Sequence, residues 1–170
     1  ASLARQNLER ALLIDNGLSG AYASLGRVEA LLSNHEEALS HYNKAISLNE
    51  SLVDVHIWRF LSMNRLGRYA DAMDALYRAA ELDPTLPVIL HNLGYEKSKR
   101  GQYDAAREYF TRLINAEKDN PLGYRGLAAA SAREGNYVDS LVQWGLALQL
   151  SPETPLYQRS YREALYKLTM

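Results

Sequence analysis

Small and apolar residues recur along this chain at a fixed spacing of 34 residues. The clearest copy of the pattern lies between Leu93 and Pro121, where its characteristic positions are Gly94, Gly101, Tyr103, Ala106, Phe110 and Leu113. The same order returns 34 residues earlier and 34 residues later, and one further step back it begins at Leu25-Gly26. A period of this length, held without slippage over four copies, predicts a solenoid of stacked helix pairs.

The register of this period divides the chain into repeats of two helices. The predicted repeats are 19–52, 53–86, 87–120 and 121–154, with a half repeat at 1–18 and a capping helix at 155–170. Ala4, Leu8 and Ala11 fall on positions that second helices occupy in later repeats, so the chain starts in mid-repeat with a helix over residues 1–15. No linker or low-complexity tract interrupts the pattern, which predicts one domain over residues 1–170.

Two departures from the register predict local differences in packing. Phe60 stands where other repeats have a small residue, so it must open its helix pair or turn aside. In the capping helix, Arg162 takes the same position and is expected to face water. The predicted buried stripe of that helix is Leu156, Tyr161, Leu165 and Leu168.

Composition excludes several classes of function. Net charge is −1, so no strongly basic surface indicates direct contact with nucleic acid. The chain has no cysteine, and no apolar run long enough to insert into a membrane. The sequence leaves the compartment unknown, favouring the cytoplasm over the periplasm.

No motif for catalysis or cofactor binding is present. The four histidines form no His-x-x-x-His pair, and there is no phosphate-binding glycine loop, nucleophile elbow or dinucleotide fingerprint. Gly94 and Gly101 have a packing explanation as repeat glycines. We therefore predict a protein that is not an enzyme and has no cofactor or metal.

The repeated pattern resembles the tetratricopeptide repeat family over essentially the whole chain. The residues that carry the resemblance are a Leu-Gly pair, a Gly-x-Tyr turn, an alanine, an aromatic residue or leucine, a second alanine and a proline. The resemblance implies an all-α, right-handed α-solenoid of about nine helices. It also implies that the first helices of successive repeats line a concave groove that holds an extended peptide or a partner's helix.

A second resemblance concerns the stretches 55–58, 82–89 and 92–94. They are similar to repeats that follow winged-helix DNA-binding domains in bacterial regulators and some signalling enzymes. On this interpretation the chain is a sensory or protein-binding region of a larger protein.

The first-helix positions predicted to face the groove carry more cations than anions. They include Ala23, Ile57 and Leu61, and the partner-binding residues that we select from them are Arg27, Trp58, Arg65, His91, Asn92, Tyr95, Lys99, Arg125 and Arg133. Acids lie mainly on second helices and turns, so the groove is predicted to suit an acidic or carboxylate-bearing segment. Alternatively, Arg65, Lys99 and Arg133 occupy one late-helix position where cations suit the helix dipole.

Aromatic groove residues are the expected anchors for a partner. Trp58, Tyr95 and His91 give large contact areas at low entropic cost, although Trp58 is equally explained by core packing around Phe60. Some family members bind the C-terminal carboxylate of heat-shock chaperones through a clamp of Lys, Asn, Asn, Lys and Arg. If the clamp starts at the first full repeat, its positions hold Ala23, Arg27, Trp58, Val88 and Asn92. If it starts at the second, they hold Ile57, Leu61, Asn92, Leu122 and Gly126. Neither set forms the clamp.

The sequence therefore predicts a non-catalytic scaffold that binds a protein or peptide in its groove as part of a larger protein. One alternative is self-association through the half repeat at the N-terminus. Another is a ligand-sensing effector domain for a DNA-binding regulator.

Overall fold

The computed structural model describes residues 2–170 and consists of α-helices joined by short turns. Ten helices are present in this part of the chain: α1 (Ser2–Ile14), α2 (Ser19–Leu31), α3 (His35–Leu48), α4 (Val53–Arg65), α5 (Tyr69–Leu82), α6 (Pro87–Lys99), α7 (Tyr103–Ala116), α8 (Pro121–Arg133), α9 (Tyr137–Leu150) and α10 (Pro155–Thr169). The all-α class is confirmed. The expected count of about nine was one short, because a half repeat, four pairs and a cap make ten.

The helices form two compact units. Unit 1 contains α1 to α5 within residues 2–84, and unit 2 contains α6 to α10 within Thr85–Met170. In both units consecutive helices pack against each other as antiparallel neighbours joined by short turns. The predicted repeat boundaries and the single domain stay predictions, and Ala1 of the predicted first helix lies outside the described residues.

Unit 1 is built around the ring of Tyr42 on α3. This side chain is 1% exposed and lies against Gly26 of α2. A Cβ atom at position 26 would lie 2.3 Å from Tyr42 Cε1, so only glycine allows the two helices to approach this closely. Phe60 of α4 is buried at 5% exposure, so it has not turned out to solvent.

Unit 2 repeats this arrangement around Phe110 of α7. The ring lies between two glycines, Gly94 of α6 and Gly126 of α8. Beyond it, Trp144 of α9 and Tyr157 of α10 pack with their ring centroids 5.8 Å apart in a second apolar cluster. The small residues therefore decide how close the helices come, and the aromatic rings fill the space that remains.

The turns between paired helices require a left-handed backbone. Gly67, Gly101 and Gly135 have φ angles of +75°, +72° and +80°. In repeat one the equivalent residue is Ser33, with φ of +65°. Asn34, the last residue of this turn, directly precedes α3, and its side chain donates to Glu29 Oε2 at 2.8 Å.

The buried face of α10 differs from the prediction. Leu156, Leu165 and Leu168 are 41–45% exposed, whereas Tyr157 and Ala164 are 5% exposed. The prediction is wrong for these three leucines, whereas Tyr161 is partly buried and packs against the second apolar cluster of unit 2. Arg162 is exposed, as expected for a cap.

Candidate functional site

A cavity of about 540 Å³ opens on unit 2 between α6, α8 and α10. Its walls come from α6 and α8, its floor from α7 and α9, and its rim from α10. The lining residues are His91, Asn92, Tyr95, Ser98, Phe110, Arg125, Gly126, Ala129, Arg133, Trp144, Leu156 and Ser160.

The cavity exists because α8 presents small residues where it crosses the floor. Gly126 has no side chain, and a Cβ atom there would lie 2.3 Å from Phe110 Cδ1. Ala129, one turn further along, is also small. Phe110 and Trp144, which are 2% and 7% exposed, thus lie beneath an opening that a larger residue would fill.

His91 and Arg125 form a polar pair on one wall. An N–H of the Arg125 guanidinium donates to His91 Nε2, with Nη2 and Nε2 2.6 Å apart. Burial and the nearby Arg125 charge lower the pKa of His91 to about 4. The ring is therefore neutral at physiological pH and carries its proton on Nδ1, because Nε2 accepts.

Arg133 lies on the same wall, two turns further along α8. Its Nη1 donates to the Ser98 backbone oxygen at 3.2 Å and lies 3.5 Å from Ser98 Oγ. Within residues 2–170, neither Arg125 nor Arg133 has a carboxylate at ion-pair distance. By contrast, Arg100 pairs with Glu96 on the same unit. The cavity therefore offers guanidinium donors that no acid of the described chain neutralises.

Two further predicted residues line this cavity. The Asn92 amide nitrogen donates to the Val88 oxygen at 2.7 Å, which fixes the side chain against α6. Tyr95 is 52% exposed, and Lys99 Nζ lies 5.9 Å from its ring centroid. Lys99 itself does not line the cavity and lies 3.9 Å from Glu96 Oε2.

In unit 1 the predicted residues form a different arrangement. The Arg27 guanidinium lies 4.8 Å above the Trp58 ring, and Trp58 packs against Tyr42 with centroids 6.0 Å apart. Trp58 is only partly buried, so it is both a packing residue and a surface residue. Arg65 is exposed.

The structure thus brings together five of the nine predicted residues in one cavity: His91, Asn92, Tyr95, Arg125 and Arg133. The expectation that Ala23 and Ile57 face the groove is wrong, because they are 7% and 6% exposed and belong to the core of unit 1. Sequence reasoning missed Gly126 and Ser98. Gly126 could have been found, since it occupies the position at which repeat two carries Trp58.

A smaller chamber of about 290 Å³ adjoins the cavity and shares Ala129, Arg133, Trp144 and Ser160 with it. Ser140 lines this chamber, is 0% exposed, and its hydroxyl has no hydrogen-bond partner among the described atoms. A buried hydroxyl without a partner is unfavourable to folding.

No group of three or more His, Cys, Asp or Glu side chains in residues 2–170 is arranged to hold a metal ion. None of the described helices is long and apolar enough to cross a membrane.

Comparison with known proteins points to one repeat family. Sequence models of the tetratricopeptide repeat match residues 91–155 and residues 19–52, together more than half of the chain. A curated relative, small glutamine-rich tetratricopeptide repeat-containing protein 2 of Mycosarcoma maydis, is 26% identical over 115 residues. The match covers 65% of this chain but only 33% of that protein, so the chain spans about a third of the relative's length.

Solved structures share the fold at low sequence identity. YrrB, a tetratricopeptide repeat protein with an unusual peptide-binding site, has a TM-score of 0.76 at 19% identity and covers 93% of this chain and 81% of its own. A tetratricopeptide repeat protein from Parabacteroides merdae has a TM-score of 0.81 at 16% identity, over 97% of this chain and 66% of its own. These likenesses confirm an all-α repeat fold of the tetratricopeptide type.

Proposed function

The chain belongs to the tetratricopeptide repeat family, and on that premise we propose that it binds an acidic peptide segment of a partner protein in the cavity of unit 2. Repeats of this family form scaffolds for protein–protein interaction and are generally non-catalytic. In this proposal the chain is one such non-enzymatic module of a larger protein.

The observation that carries the proposal is the pair of arginines without acidic partners. Arg125 and Arg133 line an opening with the exposed side chains of Tyr95 and Leu156 on its sides and the buried rings of Phe110 and Trp144 beneath it. A guanidinium binds a carboxylate through two parallel hydrogen bonds, and it does so more strongly where aromatic walls exclude water. A segment that combines acidic and apolar side chains fits both features.

The spacing of the two arginines indicates the form of the segment. They are eight residues apart on α8, which corresponds to about 12 Å along a helix axis. In an extended peptide, side chains four residues apart are about 13 Å apart and point the same way. We therefore expect an extended segment with acids at positions i and i+4 and an apolar residue between them.

Fluorescence anisotropy with labelled peptides tests the proposal. The probe is an extended peptide with glutamates at i and i+4 and a central leucine, and its control has glutamines at the same places. Arg125→Ala combined with Arg133→Ala is expected to weaken binding of the acidic probe about 100-fold, as two lost charge-assisted contacts would.

Arg162→Ala is the matched control, because it removes an exposed cation of unit 2 that does not line the cavity. Equal losses for this variant and the double variant would show that net charge alone attracts the peptide. Equal affinity of the acidic and glutamine peptides would contradict the proposed carboxylate recognition.

Self-association is a second candidate, and the exposure of α1 favours it. Leu3, Leu13 and Ile14 are 68%, 87% and 89% exposed. Single exposed apolar residues are common, but three on one helix indicate an interaction surface. Sedimentation over a wide concentration range tests this candidate. A dimer that disappears in Leu13→Glu combined with Ile14→Glu would support it, and a monomer throughout would exclude it.

A further inference from the structure

Helix α9 has an apolar stripe on the side that faces away from the core of unit 2. Val138, Val142 and Leu146 follow one another at intervals of four residues and are 60%, 55% and 37% exposed. At 100° per residue they lie on the side of α9 opposite Trp144 and Ala147, which are buried. We call Val138, Val142 and Leu146 the outer stripe.

No other second helix of a full repeat has large apolar residues at the three positions equivalent to the outer stripe. The equivalent residues are Glu36, Ser40 and Lys44 on α3, Ala70, Asp74 and Arg78 on α5, and Asp104, Glu108 and Arg112 on α7. The repeat architecture therefore does not require apolar residues at these positions. The stripe is specific to α9.

The exposure of the stripe is not explained by a missing neighbour. On α7, which is followed in unit 2 by three more helices, Asp104 and Glu108 remain exposed at the equivalent positions. These positions thus face solvent even where the stack continues. A further repeat packed after α10 would not be expected to cover them.

The stripe also brings no benefit to the isolated helix. Valine loses side-chain freedom in a helix and is a weaker helix former than the glutamate or arginine found on α7. An apolar stripe stabilises only when another surface covers it, because removing apolar surface from water contributes about 25 cal/mol per Å². An apolar stripe two turns long on an otherwise polar surface indicates a docking site.

The charges near the stripe indicate what docks there. Asp139 is the only charged residue of α9 and lies on the same face as the stripe. The equivalent positions of α7 carry Asp104, Glu108 and Arg112, a net charge of −1. In the described chain none of the three acids takes part in a salt bridge. A second copy of α9 would bring these acids towards each other, and an anionic membrane would be repelled by them.

We propose that the outer stripe binds an amphipathic helix of a partner protein, one with an apolar ridge and lysine or arginine along its flank. Apolar residues of that helix at i, i+3, i+4 and i+7 pack on Val138, Val142 and Leu146. Its basic flank lies beside Asp104, Glu108 and Asp139. The site is independent of the cavity, because α9 turns Trp144 to the cavity and the outer stripe away from it.

The test replaces the outer stripe with the residues of α7: Val138→Asp, Val142→Glu and Leu146→Arg. The probe is a synthetic amphipathic helix of about five turns with leucines on one face and lysines on both flanks, and a twin with glutamates on the flanks. Binding is followed by isothermal titration calorimetry, and circular dichroism verifies that the variant remains helical.

We expect the lysine-flanked helix to bind the unaltered chain at least about tenfold more tightly than its twin, and the triple variant to lose at least about tenfold in affinity. The substitutions make the variant more negative by one charge, so charge attraction alone predicts equal or tighter binding. Unchanged or tighter binding to the variant overturns the proposal, as does a failure of the lysine-flanked helix to bind the unaltered chain.

Further measurements test the acidic flank, the alternative occupants and the independence of this site from the cavity. Glu108→Lys should reduce the preference for the lysine-flanked helix, and an unchanged preference contradicts the role of the acidic flank. Concentration-dependent dimerisation, or binding to phosphatidylserine vesicles, that is lost in the triple variant overturns the proposal in favour of those occupants. The double variant of Arg125 and Arg133 should bind the helix normally, so this proposal and the proposed peptide function can fail separately.

Discussion

Units 1 and 2 differ most at one position of the same repeat pattern. Residues 68 apart are equivalent in the two units, so Trp58 of unit 1 corresponds to Gly126 of unit 2. Trp58 packs on Tyr42 and lies under Arg27, whereas Gly126 lies against Phe110 and leaves a cavity above it. Two more pairs differ in polarity: Ala23 and Ile57 are core residues of unit 1, and His91 and Arg125 are polar cavity residues of unit 2.

The repeat pattern therefore specifies a scaffold but not a binding site. Both units place an aromatic residue, Tyr42 or Phe110, over a glycine of the preceding helix. Whether the space beside that ring is filled or open depends on the size of one residue on the next helix.

Gly126→Ala should lower the free energy of unfolding by about 2–3 kcal/mol, as overpacking in a core does. The added Cβ atom would meet the Cδ1–Cε1 edge of Phe110, which Gly94 of α6 also approaches closely. Urea unfolding measures the effect. Gly20→Ala is the control, because nothing lies within 4 Å of its Cβ position, and it should stabilise by about 0.5–1 kcal/mol. Equal effects at both positions would show that Gly126 is not required for close packing.

Acidification should destabilise unit 2 through His91. Its pKa is lowered to about 4 in the folded protein, so below pH 6.5 the unfolded chain binds a proton that the folded protein does not. The free energy of unfolding therefore falls as pH falls from about 6.5 to 4, by about 2 kcal/mol once partial solvent screening is allowed for.

His91→Ala introduces the residue that unit 1 has at the equivalent position, Ala23. In this variant the free energy of unfolding should change less between pH 6.5 and 4. His56 of unit 1 also has a lowered pKa because of burial, so the wild-type and variant slopes must be compared with each other. Identical slopes between pH 4 and 6.5 would rule out the buried neutral imidazole at position 91.

Ser140→Ala should raise the free energy of unfolding by about 1 kcal/mol, because it removes a buried hydroxyl that has no partner. The equivalent residue of unit 1 is Ala72, which is 0% exposed, so alanine fits this position. Thermal unfolding is the measurement. A lower melting temperature would mean that the hydroxyl makes a stabilising contact.

Arg27→Ala should cost about 0.5–1 kcal/mol, the usual contribution of an exposed cation–π contact. Arg65→Ala is the matched control, since Arg65 is an exposed arginine of the same unit with no ring contact among the described residues. If the two variants have the same stability, the contact between Arg27 and Trp58 contributes nothing measurable.

The sequence predicted the helices because their positions follow from a constant period. Pro87, Pro121 and Pro155 each begin a helix, as their fixed φ angle and their spacing predict. The left-handed turn at Ser33 was not predicted. A serine is not a recognisable signal for that backbone, whereas the glycine at the three equivalent turns is.

The candidate site was predictable only in part. Position in the repeat placed His91, Arg125 and Arg133 on first helices, and all three line the cavity. It did not show that Ala23 and Ile57 are buried, because burial depends on the size of the residues on neighbouring helices. The hydrogen bond between His91 and Arg125 joins residues 34 apart, and the period gives their alignment but not their side-chain geometry.

The placement of the two tryptophans has a spectroscopic consequence. Trp58 and Trp144 are the only indoles of the chain; one lies under a guanidinium in unit 1 and the other lines the cavity of unit 2. With Trp58→Phe, the remaining tryptophan emission comes from Trp144 alone, so a shift of that emission on adding peptide reports occupancy of the cavity without any attached dye. Trp144→Phe leaves an emitter that responds only to unit 1. The fluorescence of each unit can therefore be followed separately in the two single-tryptophan variants.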